Sequence, residues 1–359
     1  MSSASASNTR WYVLLGFAPI AILIHVSAPE RHTAVFFASV LAILPLAAFM
    51  GQATETLADH LGGGIGGLLN ATFGNAAELI IGIFALHEGL IDLVKASITG
   101  SIIGNVLLVF GAAALAGGLK HNVQKFNKTA AGLGSTMLLL STIGLVVPAV
   151  FHYVSRNTPN APNQTLDTEI AFVLLATYVV SLIFTLRTHR GLYGPPADEP
   201  GTRARPGEVK RAVIVLIGAT AGIAVVSELL VGSVTATAHD LGLSELFIGV
   251  VVVALVGNAA EHYSAVTMAM SDRMDAALAI AVGSSTQIAL FVAPVLVLLS
   301  YVVAPHPMDL LFSLFEIVSI ALAVLSIMFI SHDGETHWME GVQLLAVYVI
   351  LGLGFFYLP

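Results

Sequence analysis

Gly74-Asn75-Ala76-Ala77-Glu78 recurs without change as Gly257-Asn258-Ala259-Ala260-Glu261, 183 residues further along the chain. The same separation relates Gly100-Ser101 to Gly283-Ser284. Two matches at one separation argue for duplication of a longer unit. Both copies of the pentapeptide lie in long apolar runs. Of the 359 residues, 57% are apolar and only 10% charged, and the mean hydropathy is +0.90, whereas soluble domains carry about 25% charged residues. The chain therefore reads as a membrane protein, and the repeated glutamates Glu78 and Glu261 read as acids inside membrane spans.

Working outward, uncharged runs long enough to cross a bilayer recur along nearly the whole chain, at about 20 residues per helix. Eleven spans are expected, at 11–28, 33–54, 61–87, 93–119, 128–152, 169–187, 212–238, 245–271, 274–304, 308–331 and 338–358. The first could also be a signal peptide, since Val26-Ser27-Ala28 resembles a cleavage site. The many comparable runs that follow make a leading membrane helix the simpler account. The one substantial linker, 188–211, is rich in Pro, Gly and charge and divides the chain into halves.

Lys and Arg concentrate on cytoplasmic loops. With the N-terminus inside, the cytoplasmic side holds Arg10, Lys120, Lys125, Lys128, Arg187, Arg190, Arg203, Arg205, Lys210, Arg211 and Arg273, and the other side only Arg31, Lys95 and Arg156. An odd number of spans then puts the C-terminus outside. The expected organisation is an all-α bundle: a tail and leading helix (1–30), a first repeat of helices 2–6 (31–187), a cytoplasmic linker (188–211), and a second repeat of helices 7–11 (212–359). Five is odd, so the second copy enters the membrane upside down. Many secondary transporters share that inverted arrangement and bind substrate near the midplane between the repeats.

Several function classes drop out. There is no Cys, which removes disulfides, iron–sulfur clusters and thiolate zinc sites. His87-Glu88 lacks the second His of a metalloprotease signature, and no Gly-Lys-Ser/Thr phosphate loop is present. The net charge of −8 is scattered and forms no patch. A transporter is expected, not an enzyme, with the lipid bilayer as its surroundings, no cofactor and no nucleic-acid partner.

The helix face around Glu78 carries Ala71, Gly74, Asn75, Gly82 and Ala85, and that around Glu261 carries Ala254, Gly257, Asn258 and Ala265. Small residues let backbones approach closely and leave room for an ion. A carboxylate at the bilayer centre costs at least about 2.5 kcal/mol, so something must neutralise it. Two facing carboxylates are neutralised equally well by two protons or by one divalent cation, and they titrate as a unit. Competition for such a site couples the two fluxes in opposite directions. Carboxylates, amides and hydroxyls form the hard oxygen set that Ca²⁺ prefers. Gly74 and Gly257 mark places where the helix can loosen and present carbonyls.

These motifs resemble the two signatures of the cation/proton exchanger family, within the calcium/cation antiporter superfamily. Asn70-Ala71-Thr72-Phe73-Gly74-Asn75-Ala76-Ala77-Glu78-Leu79-Ile80 is similar to the first, and Val256-Gly257-Asn258-Ala259-Ala260-Glu261-His262 to the second. Gly283-Ser284-Ser285-Thr286-Gln287 resembles the span that follows the second signature. The resemblance implies Ca²⁺/H⁺ antiport, with Glu78 and Glu261 as shared Ca²⁺ and H⁺ ligands and Asn75 and Asn258 lining the site. It implies further lining by Ser101, Asn105, Ser284, Ser285 and Gln287. Sodium/calcium exchangers of the superfamily usually carry Pro where Ala77 and Ala260 stand, which points away from Na⁺ coupling. Ca²⁺ is the expected cation partner, with Mn²⁺ and Na⁺ as the other cations such an oxygen site could take.

Glu55, near the cytoplasmic end of helix 2, and Glu228, towards the outer end of helix 7, are candidates for the access funnels or, equally, for stabilising a kink or helix end. Glu316 in helix 10 reads as structural. His262, about 100° around the helix from Glu261, reads as a packing or gate residue. The short linker favours a prokaryotic plasma membrane.

Overall fold

In a bilayer core a chain must satisfy its backbone hydrogen bonds internally, and this chain does so with helices. The computed structural model describes residues 11–61, 65–158, 161–189 and 206–358. The tail ahead of Trp11, with Arg10, and most of the expected linker, with Arg190, Arg203 and Arg205, lie outside these residues.

The helices in chain order are α1 (Trp11–Ser27), α2 (His32–Leu61), α3 (Ile65–Phe73), α4 (Ala76–His87), α5 (Ile91–Gly118), α6 (Lys128–Ser155) and α7 (Asn163–Thr188). After the linker come α8 (Pro206–Leu241), α9 (Glu245–Gly257), α10 (Ala259–Met270), α11 (Met274–Val303), α12 (Leu314–Ile330) and α13 (Trp338–Tyr357). Among the described residues, seven helices are long and apolar enough to cross a membrane, or eight if α9 and α10, bent by 60°, form one span. The shorter apolar helices are α1, α4 and α12.

Local sequence explains the ends. Asn127 caps α6 by accepting from the backbone N–H groups of Thr129 (3.0 Å) and Ala130 (3.1 Å). Ser313 and Glu316 close a capping box at the start of α12. The run expected to be helical from residue 308 therefore begins at Leu314, and residues 304–313 form a non-helical strap. The expected span 61–87 is not one helix, because Gly74 and Asn75 interrupt it as a turn between α3 and α4. Asn258 interrupts the second copy in the same way.

Helix boundaries follow the 183-residue separation closely. Ala76–His87 corresponds to Ala259–Met270, and α5 and α11 begin at Ile91 and Met274. Both of the latter contain a π-helical turn, at Gly104–Val109 and Ile288–Val292.

The halves interlock. The long helices α2 and α8 pack along each other, and each glutamate-bearing helix packs on the opposite half: α4 on α8 and on the end of α11, α10 on α2 and on the end of α5. Close packing of small residues holds such helices together where lipid is as apolar as the side chains. A Cβ on Gly82 of α4 would come 2.8 Å from Leu296 of α11. Two short strands, β1 (Gln124–Lys125) and β2 (Glu335–Thr336), pair antiparallel and join a loop of each half.

The crossings of α3 and α9 are unequal. On α9, Ile248, Val250 and Val253 are buried, and a Cβ on Gly100 of α5 would fall 2.0 Å from the Val250 carbonyl oxygen. On α3, Ile65, Leu68, Asn70 and Thr72 are exposed, and a Cβ on Gly283, the counterpart of Gly100, would meet nothing within 4 Å. The clamping partners differ: α9 lies tight on α5, whereas α3 lies on α2, where a Cβ on its Gly66 would fall 2.1 Å from the Ala58 carbonyl oxygen, and leaves Gly283 of α11 uncovered.

Candidate ion-binding site

The two breaks bring the signature residues together. Because α3 and α9 end at the turns, Asn75 and Asn258 sit at the starts of α4 and α10, and each glutamate lies in the first turn that follows. A helix N-terminus favours negative charge, so both carboxylates are placed where the backbone stabilises them. The Glu78 side chain reaches across to the second half. A Cβ added to Gly257 would lie 3.1 Å from its Cγ and 3.2 Å from its Oε1.

The amides complete the site. Asn75 Nδ2 donates to Gln287 Oε1. Asn258 Nδ2 donates to Ser101 Oγ and to the Ala254 carbonyl, both at 2.8 Å, and Asn105 Nδ2 donates to Asn258 Oδ1 at 2.8 Å. Asn75, Asn258, Ser101 and Asn105 are buried. Buried acceptors left without any protein partner include both Glu78 carboxylate oxygens, Glu261 Oε2, Asn75 Oδ1 and Asn105 Oδ1. A buried unpaired acceptor costs about 1–3 kcal/mol, and several grouped in one interior are the signature of a site for a positively charged or proton-donating ligand. Among the described residues no group of three or more His, Cys, Asp or Glu side chains could hold a metal. The acidic charge here is that of the two glutamates alone.

The remaining candidates separate. Ser285 is buried and donates to the Ala281 carbonyl (2.9 Å) and the Ile102 carbonyl (3.3 Å), so its hydroxyl ties α11 to α5. Ser284 and Gln287 are half-buried. His262 is half-buried beside Glu261. Glu55 is exposed, with the charges of Asp59 and Arg273 nearby; Glu228 is exposed on α8. Glu316 is buried, accepts from Thr99 Oγ1 at 3.0 Å and from the Ser313 backbone N–H at 2.8 Å, and is thereby structural.

Two buried ionic groups escape sequence reasoning. Asp167 is fully buried against His152 Nε2 at 2.9 Å and accepts the Leu310 N–H. Lys95 is buried between Asp92 (3.0 Å) and Asp309 (3.1 Å) and donates to the Leu311 carbonyl. Together they fasten the 304–313 strap to α5 and α7.

The sodium/calcium exchanger protein family model matches residues 31–187 and 211–357. The chain belongs to that family. Within it, a Ca²⁺/H⁺ antiporter of Synechocystis is 44% identical over 99% of both chains. The Ca²⁺/H⁺ antiporter ChaA of Bacillus subtilis is 49% identical over 88% of this chain and 90% of its own. Among solved structures, that of native YfkE superposes with a TM-score of 0.84 at 42% identity, over 97% of this chain and 100% of the other. Membership of this exchanger family, with the apolar helices, makes the chain a multi-pass membrane protein.

Proposed function

We propose that this chain exchanges Ca²⁺ for H⁺ across a prokaryotic plasma membrane by alternating access. Glu78 and Glu261 hold either one Ca²⁺ or two protons. The observation that carries the reading is the pair of half-buried glutamates, one from each copy of the repeat, three of whose carboxylate oxygens are buried without a protein partner. Two negative charges match one divalent cation or two protons equally, so either occupant leaves the site neutral. An empty, doubly charged site is costly to move through the low-dielectric interior. Each half-cycle therefore carries an occupant, and that requirement couples the fluxes. The relatives named Ca²⁺/H⁺ antiporters favour Ca²⁺ as the cation.

The architecture is read as a leading helix and two inverted five-helix repeats, eleven spans in all, with the N-terminus in the cytoplasm and the C-terminus outside. Matching helix boundaries and π-helical turns at the 183-residue separation support it. In that orientation α3, which exposes Asn70 and Thr72 and leaves Gly283 uncovered, is on the cytoplasmic side and α9, tight on α5, is on the outer side, and the site is read as open inward. Glu55, beside α3, stands in the inward funnel and Glu228 in the outward one; His262 lies at the gate.

Purified protein in sealed vesicles tests the reading. An imposed pH gradient should drive Ca²⁺ uptake against its own gradient, and a Na⁺ gradient at fixed pH should not. Uptake driven only by Na⁺, or only downhill Ca²⁺ movement, would replace antiport with protons by Na⁺ exchange or by a passive channel.

A further inference from the structure

We propose that the amide ligands of the bound cation are Asn75 and Asn105, and that Asn258, the repeat-mate of Asn75, is a positioning residue that aims Asn105. The inference rests on the glutamate-pair reading above and breaks the symmetry that the duplicated motif suggests.

The assignment follows from which atoms can donate. The Ala254 carbonyl can only accept, so the Asn258 side-chain atom 2.8 Å from it must be the nitrogen. That fixes Asn258 Oδ1 towards Asn105, which must then present its own nitrogen at 2.8 Å. Both N–H donors of Asn258 are thereby used, on Ala254 and Ser101, and its oxygen is held by Asn105, so each of its polar atoms already has a protein partner. The oxygen left over is Asn105 Oδ1, on a residue with 0% exposure and without a protein partner. In the other half the polarity is reversed. Asn75 gives its nitrogen to Gln287 and keeps its own oxygen unpaired. Each amide pair thus frees one oxygen, from the signature Asn in one half and from its partner in the other.

The sequence supplies the cause. The 183-residue separation pairs Asn105 with Ile288 and Gln287 with Gly104, so the amide is displaced by one residue between the copies. Both stand at the entry to a π-helical turn, Gly104–Val109 and Ile288–Val292, a distortion frequent at functional sites. Two oxygens from Glu78 and one each from Glu261, Asn75 and Asn105 then make an oxygen set of the kind Ca²⁺ takes.

The test is the apparent KM for Ca²⁺ in pH-gradient-driven uptake by full-length protein in vesicles, for Asn105→Ala, Asn258→Ala and the double variant. Loss of an ion ligand or of the group that orients it costs about 10–100-fold in metal affinity. Each single variant should raise KM by at least about tenfold, and the double variant should match the worse single variant within about twofold, since the two act as one unit. Both should also shift the KM ratio of Ca²⁺ to Mn²⁺ alike, which a purely structural defect would not do. Asn258→Ser replaces Asn258→Ala if the latter does not insert. Multiplicative effects in the double variant, or an unchanged KM for Asn105→Ala, would overturn the assignment. Glu78→Gln measured alongside separates the two ideas: normal transport by it sinks the glutamate reading itself, whereas an inactive Glu78→Gln with a multiplicative cycle sinks only the division of labour between the asparagines.

Discussion

The Glu78 side chain of the first half rests against Gly257 in the second, its carboxylate carbon and Oε1 each 3.2 Å from where a Cβ on residue 257 would stand. Duplication alone would give two independent acids. This contact makes the residue before one signature Asn the floor under the other half's glutamate. In Gly257→Ala the new methyl would sit 3.1 Å from Glu78 Cγ, so the carboxylate must shift by a few tenths of an ångström. Small misplacements of reacting groups are costly, and the KM for Ca²⁺ should rise roughly tenfold in vesicle uptake. Gly283→Ala, whose methyl meets nothing within 4 Å, should stay near wild type. Equal effects of the two would show that the contact is unimportant.

The unequal packing of α3 and α9 makes a labelling prediction, and the absence of Cys from the chain makes the experiment direct. A Cys at the exposed Asn70 should react with an impermeant thiol reagent from the cytoplasmic side. A Cys at its counterpart Val253, 3% exposed, should be protected from both sides in the same state. Labelling of Val253→Cys from outside with Asn70→Cys protected would reverse the assigned access state.

Exchange by competition has a pH signature. Lowering the pH on the Ca²⁺-binding side favours protonated glutamates, so KM should rise with acidity while the maximal rate is held by saturating Ca²⁺. Two coupled carboxylates give a limiting slope of about two log units of KM per pH unit. A KM independent of pH on that side would exclude a shared site.

The His152–Asp167 pair should matter for stability and not for ion choice. Removing one partner of a buried hydrogen bond costs about 1–3 kcal/mol, because Asp167 at 0% exposure cannot recover hydration. His152→Ala should therefore lower the unfolding midpoint clearly in detergent. Asp167→Asn, which retains an acceptor for the Leu310 N–H, should lower it less. An unchanged midpoint for His152→Ala would show that the pair contributes nothing.

The motif signals of this site are local. Gly74-Asn75 and Gly257-Asn258 mark the interruptions because a glycine followed by an amide side chain that can compete for backbone hydrogen bonds loosens a helix, as Asn258 does on the Ala254 carbonyl, and the glutamates follow at fixed spacing. The one-residue displacement between Asn105 and Gln287 escapes because repeat matching looks for identity at one separation, and here a π-helical turn changes which position faces the partner. Asp167 and Lys95 escape for a different reason. Their charge marks them as span ends, and only the strap at 304–313, whose non-helical course depends on Ser313 as a cap, folds over and buries them. Span boundaries suffer likewise: α7 begins at Asn163, ahead of the apolar run starting at 169, because tertiary contacts carry the helix through polar residues.

The most direct test of competition on the glutamate pair is Ca²⁺ uptake, under an imposed pH gradient, by vesicles containing Glu78→Gln or Glu261→Gln. Glutamine keeps the shape and removes the charge and the titration, so neither variant should accumulate Ca²⁺ above protein-free vesicles. Undiminished uptake by either one would contradict exchange on a shared carboxylate pair.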